Sequence, residues 1–303
     1  MPAVSPFDVA GLGASAIDLV YVLPAYPRPE GQFSKLQVQS HAVSAGGQTA
    51  TAMAGCAALG LRAAFMGFTG NDAHGAFIRG ELTGRGVDIS RASMADAPQP
   101  YSIILLAEGE PERIVLWSRD ERASLRDVRV DPSLFSVLHV DDVDSEAAVA
   151  AAKVARDAGR LVTTDIDRIT DRTRTLIELA THPVLAEHVP AAVTGEADLE
   201  RGLRALRALN PGPIVVTLGP RGAIALEGDE LIEAPGFRVD AVDTTGAGDV
   251  FRAGYITALV EQMPLRDALR FANAAAAISC TRRGAMASVP ARKEVERALS
   301  PEP

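Results

Sequence analysis

The stretch Asp243-Thr-Thr-Gly-Ala-Gly-Asp249 joins an extended segment to a segment that predicts a helix beginning near Asp249. Gly246 and Gly248 tolerate positive φ, and without a Cβ they let a bound group approach the backbone. The amides of Gly246, Ala247 and Gly248 would then face an anion at the positive end of the helix dipole. Such a hole suits a phosphoryl group in transfer, and a carboxylate beside it can accept a proton. The structural alternative is an ordinary glycine turn with an aspartate at a helix start.

Outward from this stretch, short apolar runs alternate with helical patterns. Each run is bounded by Gly, Asp or Pro, as is typical of strands buried on both faces. The predicted strands are 8–13, 63–69, 137–140, 161–165 and 214–218. The predicted helices are 49–59, 75–86, 145–158, 199–209, 249–262 and 264–280, with Gly or Asn caps at 60, 86, 159 and 210. This order predicts an α/β fold with a mostly parallel sheet between two helical layers.

Two segments interrupt the alternation. Residues 18–44 contain three prolines and a polar, strand-like tail. Residues 99–117 predict two strands, 101–107 and 113–117, joined by a Glu-Gly-Glu-Pro turn. They predict a small second sheet inserted into a single domain that spans 1–303.

Composition narrows the class of protein. Of the 303 residues, 47% are hydrophobic and 23% are charged, as in a globular domain. The net charge of −9 argues against a nucleic-acid or anionic-membrane surface. Two cysteines and five unpaired histidines form no disulfide or metal pattern, so they are expected to be structural. The first residues lack the pattern of a signal peptide, and no apolar run reaches the ~18 residues of a membrane span, so a cytoplasmic location is expected.

A dinucleotide-binding fingerprint near the N-terminus is rejected. Gly11-Leu-Gly-Ala-Ser-Ala16 follows a predicted strand and matches GxGxxA. That fingerprint requires a helix whose N-terminus meets the pyrophosphate. The residues that follow are β-branched and broken by prolines, so the sequence does not favour a dehydrogenase.

The segment DTTGAGDVF, residues 243–251, resembles the C-terminal signature of the ribokinase-like (PfkB) carbohydrate kinases. Weaker matches follow the family order over essentially the whole chain, at 46–47, 67–88, 217–222, 273–277 and 281–285. The resemblance implies a three-layer α/β/α sandwich with a small β lid that closes over a sugar. It also implies transfer of the γ-phosphoryl group of ATP to a hydroxyl, usually a hydroxymethyl, of a sugar or sugar derivative.

The resemblance assigns roles to individual positions. Asp249 would be the general base, and the backbone of Gly246, Ala247 and Gly248 the anion hole. The substrate side would comprise Asp18, Gly46, Gly47, Thr51 and, in the second lid strand, Arg113, for which a surface arginine is the structural alternative. The nucleotide side would comprise Thr217, Gly219, Gly222, Thr244, Asn273 and Gly284. Glu187 would hold Mg²⁺ through water, and Asp243, Gly284 and Ser288 stand where some relatives bind K⁺.

Departures from the family pattern leave the acceptor open. Ala16 and Thr51 occupy positions where many members have asparagine, and Glu187 alone remains of an Asn-x-x-Glu motif. A nucleoside kinase of the same family is therefore an alternative. A non-catalytic sugar or nucleotide sensor is a third hypothesis, disfavoured because Asp249 and both glycines of the hole are retained. Exposed lid edges would also allow a homodimer.

Overall fold

The computed structural model of the protein describes residues 5–109, 114–126 and 128–300. Over these ranges the strands are β1 Phe7–Leu12, β2 Ala16–Leu23, β3 Ser40–Gly46, β4 Ala63–Phe65, β5 Phe68–Gly70, β6 Ser93–Ala95, β7 Tyr101–Ala107, β8 Ile114–Ser118, β9 Phe135–Asp141, β10 Leu161–Asp165, β11 Val184–Ala186, β12 Ile214–Thr217, β13 Gly222–Glu227 and β14 Glu230–Pro235. The helices in the same ranges are α1 Gln48–Ala58, α2 Ala73–Gly84, α3 Ser145–Asp157, α4 Thr173–Leu179, α5 Val189–Thr194, α6 Leu199–Leu206, α7 Ala247–Val260, α8 Leu265–Ser279 and α9 Arg292–Leu299.

The central layer is a mostly parallel sheet, as the strand–helix alternation predicts. Its first part has the order β10-β9-β1-β4, with every pairing parallel. The second part has the order β11-β12-β13-β14, in which β11 and β12 are parallel and β13 runs antiparallel to both of its neighbours. Isolated parallel bridges, Thr163 to His182 and Ile166 to Leu185, connect the two parts. All carboxyl ends of the parallel strands therefore meet at one edge of the layer.

Helices cover both faces of this sheet. In β9, Val137 packs into one hydrophobic cluster and its neighbour Leu138 into another, because successive side chains of a strand point to opposite faces. The first cluster includes residues of α1, α7 and α8, and the second includes residues of α3, α4 and α6. The predicted three-layer α/β/α arrangement is confirmed.

A smaller sheet of order β3-β2-β7-β8, called the lid sheet below, lies outside the central layer. Strand β2 pairs antiparallel with β3 and parallel with β7, and β7 pairs antiparallel with β8. Its register places Ser44, Asp18, Ser102 and Trp117 in one row across the four strands. Directly paired residues project to the same face, so these four side chains share one face of the lid sheet.

Several local predictions need correction. The single strand predicted for 63–69 is two short strands, because the chain turns at Gly67, where a Cβ would overlap the carbonyl oxygen of Gly13. Asn210 is not a left-handed helix cap, since α6 already ends at Leu206. Its buried amide nitrogen instead donates to the carbonyls of Ile177 and Ala180, 2.5 and 2.6 Å away. It thereby satisfies the carboxyl end of α4.

Other local predictions are confirmed. Gly60, Gly86 and Gly159 have positive φ after their helices. The fingerprint at 11–16 is followed by strand β2 and not by a helix. Within the described ranges, no helix combines the length and the apolar character that a membrane crossing requires.

Candidate active site

The turn at 243–249 is held in shape from both ends. Gly246 has φ +80° and stands directly before the first residue of α7. A Cβ there would lie 2.8 Å from Cα of Ala285, so the position needs both the left-handed conformation and the missing side chain. Asp243 accepts hydrogen bonds from the amides of Thr245 and Gly284, each 2.9 Å long. The carboxylate thus ties the turn to the loop that follows α8.

The helix begins two residues earlier than predicted, so Ala247 and Gly248 lie within its first turn and not before it. Ala247 is the first residue of α7, and its amide donates to the carbonyl of Thr244 over a long 3.3 Å. The amide of Val250 donates to the carbonyl of Gly246 and closes the first helical turn. A helix start of this kind has amides without an intrahelical partner at its positive end, which suits an anion.

Asp249 lies in the first turn of α7 and is half-buried. Burial raises its pKa well above the ordinary value, and the nearby carboxylate of Asp165 raises it further. Arg252 opposes this shift, while Asp18 and Asp141 add to it. The turn therefore brings a proton-accepting carboxylate into a cluster of like charges, where its proton affinity is increased.

Two of these neighbours, Asp141 and Asp165, were missed by the sequence analysis. Each is the last residue of a buried parallel strand, β9 or β10, and each is almost fully buried. Asp141 accepts hydrogen bonds from the amide of Ala14 at 2.6 Å, the hydroxyl of Thr49 at 2.7 Å and the amide of Val143 at 3.0 Å. The available signal was an aspartate at the carboxyl end of two consecutive buried strands, since such ends meet at one edge of a sheet.

Arg252 was also missed, although it lies only three residues after Asp249. Its Nη2 is 2.8 Å from Oδ1 of Asp165, and both side chains are buried. A Cβ on Gly248 would lie 2.8 Å from Nη1 of Arg252. The guanidinium therefore fills the space left by Gly248, beneath the turn.

The structure brings together Asp18 and the two glycines that were predicted for the substrate side. Asp18 lies on β2 and is 7% exposed, and a Cβ on Gly46 would overlap its carboxylate. Gly47 has φ +94° and stands before α1, packed against the backbone of Ser15. The carboxylate of Asp18 adds to the raised pKa of Asp249, as expected if β2 lies near the start of α7.

One predicted substrate contact, Thr51, is not brought to this place. Thr51 is fully buried within α1, and its hydroxyl finds no hydrogen-bond partner in the described part of the chain. It therefore lies behind the wall of the site and not on its surface. Arg113 lies outside the described residues.

A cavity of about 820 Å³ opens on the other side of the turn. Phe237, Val239 and Ala277 make part of its wall apolar, and Ala247 and Gly248 form its end at the turn. Five residues predicted for the nucleotide line it: Thr217, Gly219, Gly222, Thr244 and Asn273. The cavity is of the size of a ligand site and leads directly to the turn at 243–249.

Two predicted nucleotide residues contribute differently from expectation. The amide nitrogen of Asn273 donates to the carbonyls of Ala234 at 2.8 Å and Pro235 at 3.3 Å, so it fastens α8 to β14 and shapes the wall. Gly284 is not among the residues that line the cavity and instead donates its amide to Asp243.

Cys280 lines the cavity and is only half-buried, whereas Cys56 is buried.

The predicted metal contacts do not form a cage. Within the described ranges no group of His, Cys, Asp and Glu is arranged to hold a metal ion. Glu187 follows β11 and forms an exposed ion pair with Arg221. The buried hydroxyl of Ser288 donates to the carbonyl of Ala285 at 2.9 Å.

Comparison with known proteins identifies the family. The model of the pfkB family of carbohydrate kinases matches residues 8–292. A ribokinase from Haemophilus influenzae is 26% identical over 93% of this chain and 95% of its own length. An ATP-dependent ribose-1-phosphate kinase from Halopiger xanaduensis is 29% identical over the same shares of the two chains. The crystal structure of a ribokinase from Thermotoga maritima is 25% identical, has a TM-score of 0.86 and covers 97% of this chain and 99% of its own.

The chain belongs to the pfkB family of carbohydrate kinases. It is accordingly a phosphotransferase with an alcohol group as acceptor. The resemblance described from the sequence motifs is thereby confirmed, together with the ribokinase-like fold.

Proposed function

We propose that the protein transfers the γ-phosphoryl group of ATP to a hydroxyl of a sugar or sugar derivative, with a hydroxymethyl group as the expected acceptor. The position of Asp249 carries this proposal. It follows directly after Gly248, which closes the end of the 820 Å³ cavity, and the carboxylate of Asp18 in the lid sheet is near enough to raise its pKa. A nucleotide in the cavity and a polyol at Asp18 would therefore meet at Asp249.

In the proposed reaction, Asp249 accepts the proton of the attacking hydroxyl. The hydroxyl oxygen forms a bond to the γ-phosphorus, and the bond from that phosphorus to the β–γ bridging oxygen breaks, releasing ADP. The amides at the start of α7, with the helix dipole, stabilise the charge on the peripheral oxygens. Asp18 accepts hydrogen bonds from other hydroxyls of the acceptor, and these are charge-assisted.

The proposal also includes a donor and two ions. The name of the Halopiger relative supports ATP as donor, and the apolar wall at Phe237 and Val239 suits a base. Bound Mg²⁺ would neutralise phosphate charge, and Glu187, which pairs with Arg221, would contact its water shell. Asp243, Gly284 and Ser288 would border a K⁺ ion next to the turn, since Asp243 already holds the amide of Gly284.

A nucleoside is the second candidate acceptor, and Trp117 favours it. Trp117 is 72% exposed and shares the face of the lid sheet that carries Asp18. It lies two strands from Asp18, about 10 Å across the sheet. A substituent attached to a sugar held at Asp18 would extend along this row and could stack on the indole. Base–aromatic stacking contributes about 1–3 kcal/mol.

The two acceptor classes are separated by Trp117→Ala, with Trp117→Phe as the matched control that keeps a ring. For a nucleoside acceptor, KM should rise about tenfold in the alanine variant, corresponding to the stacking energy, and much less in the phenylalanine variant. A free pentose should be unaffected by either change. An equal change for the nucleoside and the pentose would contradict stacking.

We also propose a homodimer through the lid. All five residues of β8 are exposed at the sheet edge, and none of them is charged. A second copy of this strand could pair with it about a two-fold axis, whereas natural edges meant to stay free usually carry charge or proline. Sedimentation of the wild type should show a dimer that Leu116→Lys converts to a monomer. A monomeric wild type would contradict the interface.

The kinase proposal is tested by ATP turnover against a panel of sugars and nucleosides, with and without K⁺. Asp249→Asn should abolish turnover while ATP still binds. Asp267→Asn is the matched control, because Asp267 also lies in the first turn of a helix but is exposed. Tight sugar binding without turnover by the wild type would instead indicate a sensor.

A further inference from the structure

A buried ion pair lies directly beneath the proposed base. Arg252 and Asp249 are three residues apart on α7 and therefore neighbours on one side of the helix. The guanidinium of Arg252 contacts the carboxylate of Asp165 at 2.8 Å, and both groups are buried. Removing two charges from water costs several kcal/mol per ion, so such a pair is weak evidence for a stabilising role.

The guanidinium is confined on several sides. Nη1 occupies the space where Gly248 lacks a side chain, and Nη2 contacts Asp165 at the end of β10. Nε is buried and has no hydrogen-bond partner among the described residues. Arg252 thus connects the anion-binding turn to the carboxyl edge of the central sheet.

Charges near Asp249 are strongly unbalanced. Three carboxylates act on it from three strands: Asp18 from β2, Asp141 from β9 and Asp165 from β10. Arg252 is the cation that acts on Asp249 together with them. His139, next to Arg252, does not add a second positive charge, because burial and Arg252 lower its pKa to about 3, and its Nδ1 bonds the hydroxyl of Thr163.

We propose that Arg252 is a positioning residue that keeps Asp249 ionised, and that Asp165 moderates it, so that this ion pair sets the lower pH limit of turnover. The inference rests on the proposed function, because it takes Asp249 as the base. Arg252 need not touch the substrate for this role. It acts through its charge on Asp249 and through its contact with the turn at Gly248.

The two partners should shift the pH profile in opposite directions. A base must be deprotonated, so turnover rises as pH passes through the pKa of Asp249. Removing the positive charge of Arg252 raises that pKa and moves the rising part of the pH–rate profile, its acid limb, to higher pH. Removing the negative charge of Asp165 lowers it and moves the limb to lower pH. A purely structural pair would not show opposite shifts.

The experiment is the pH dependence of kcat/KM for the acceptor at saturating ATP, in Arg252→Gln, Asp165→Asn and the double variant. For each pH unit that the limb of Arg252→Gln moves up, turnover below the limb falls about tenfold relative to wild type. Asp165→Asn should move the limb down, and the double variant should return towards wild type. Arg292→Gln is the control, since Arg292 also pairs with a carboxylate, Glu261, but near the surface.

Titration of the aspartate side-chain carbons by NMR, assigned with Asp249→Asn, reads the pKa of Asp249 without turnover. It should rise in Arg252→Gln and fall in Asp165→Asn. Arg252→Lys, which keeps the charge, should retain the wild-type limb, and either single variant that folds tests the sign by itself. Unmoved limbs, or shifts in the same direction, would overturn the inference. If Asp249→Asn loses turnover but the pH profiles of the Arg252 and Asp165 variants do not shift, the proposed function stands and the inference about the ion pair is rejected.

Discussion

Replacing Gly246 by alanine separates the conformation of the turn at 243–249 from the phosphate binding proposed for it. Gly246 has φ +80°, and an added Cβ would lie 2.8 Å from Ala285. A left-handed conformation costs a non-glycine residue about 1–2 kcal/mol. Overpacking adds about 1–3 kcal/mol, because the contact is to the Cα and Cβ of Ala285, which are not the far end of a flexible side chain. Gly246→Ala should therefore destabilise the protein by about 2–5 kcal/mol.

Gly159→Ala is the matched control. Gly159 has φ +72°, and an added Cβ meets nothing within 4 Å. This variant should lose only the conformational contribution of about 1–2 kcal/mol, equivalent to a few degrees in Tm. Its turnover should equal that of wild type, because Gly159 follows α3 and lies outside the proposed site.

Turnover should fall about 100-fold in Gly246→Ala, because relief of the overlap must move the turn amides away from the phosphoryl group. Chemical denaturation would give the two stabilities, and steady-state kinetics with the acceptor found in the panel would give the two rates. Wild-type turnover in Gly246→Ala, at a stability loss no larger than that of Gly159→Ala, would refute the anion hole.

Three further predictions concern separate parts of the molecule. Asp18→Asn should lower kcat/KM for the acceptor about 10- to 100-fold, since charge-assisted hydrogen bonds contribute about 1.5–3 kcal/mol; an unchanged value would remove Asp18 from the site. Ala277→Trp should raise KM for ATP but not for the acceptor, because Ala277 lines the 820 Å³ cavity; equal effects on both would place the nucleotide elsewhere. Asn210→Ala should cost about 1–3 kcal/mol in unfolding free energy and leave turnover unchanged, because it removes the donor to the buried carbonyls of Ile177 and Ala180.

Local patterns predicted much of the fold because their physics is local. A buried run such as 137–140 indicates a strand, because its side chains are removed from water on both faces. The glycines at 60, 86 and 159 indicate helix ends, because the backbone there has positive φ. The prediction failed where a distant contact decided the outcome. Asn210 is a residue type common at helix ends, yet its side-chain amide donates to the end of α4, an earlier helix in the chain.

The substrate side shows the same division. Asp18 and Gly46 were expected to lie together, and the pairing of β2 with β3 brings them into contact. Thr51 was expected at the site, but its place on α1 turns it into the core. A helical residue four positions after Gly47 carries no local signal of which face it will present, because that depends on what packs against α1.

By itself, the sequence determined the family, the three-layer architecture and the place of the glycine turn at 243–249, because the turn is a contiguous stretch whose glycines and helix start act together. Only the tertiary structure decided which charges surround Asp249. Asp141, Asp165 and Arg252 are far apart in the chain and meet because β9 and β10 end at one edge of the sheet, beneath α7. Strand order and helix placement set that meeting, and they result from the packing of the whole core, which no single stretch of sequence specifies.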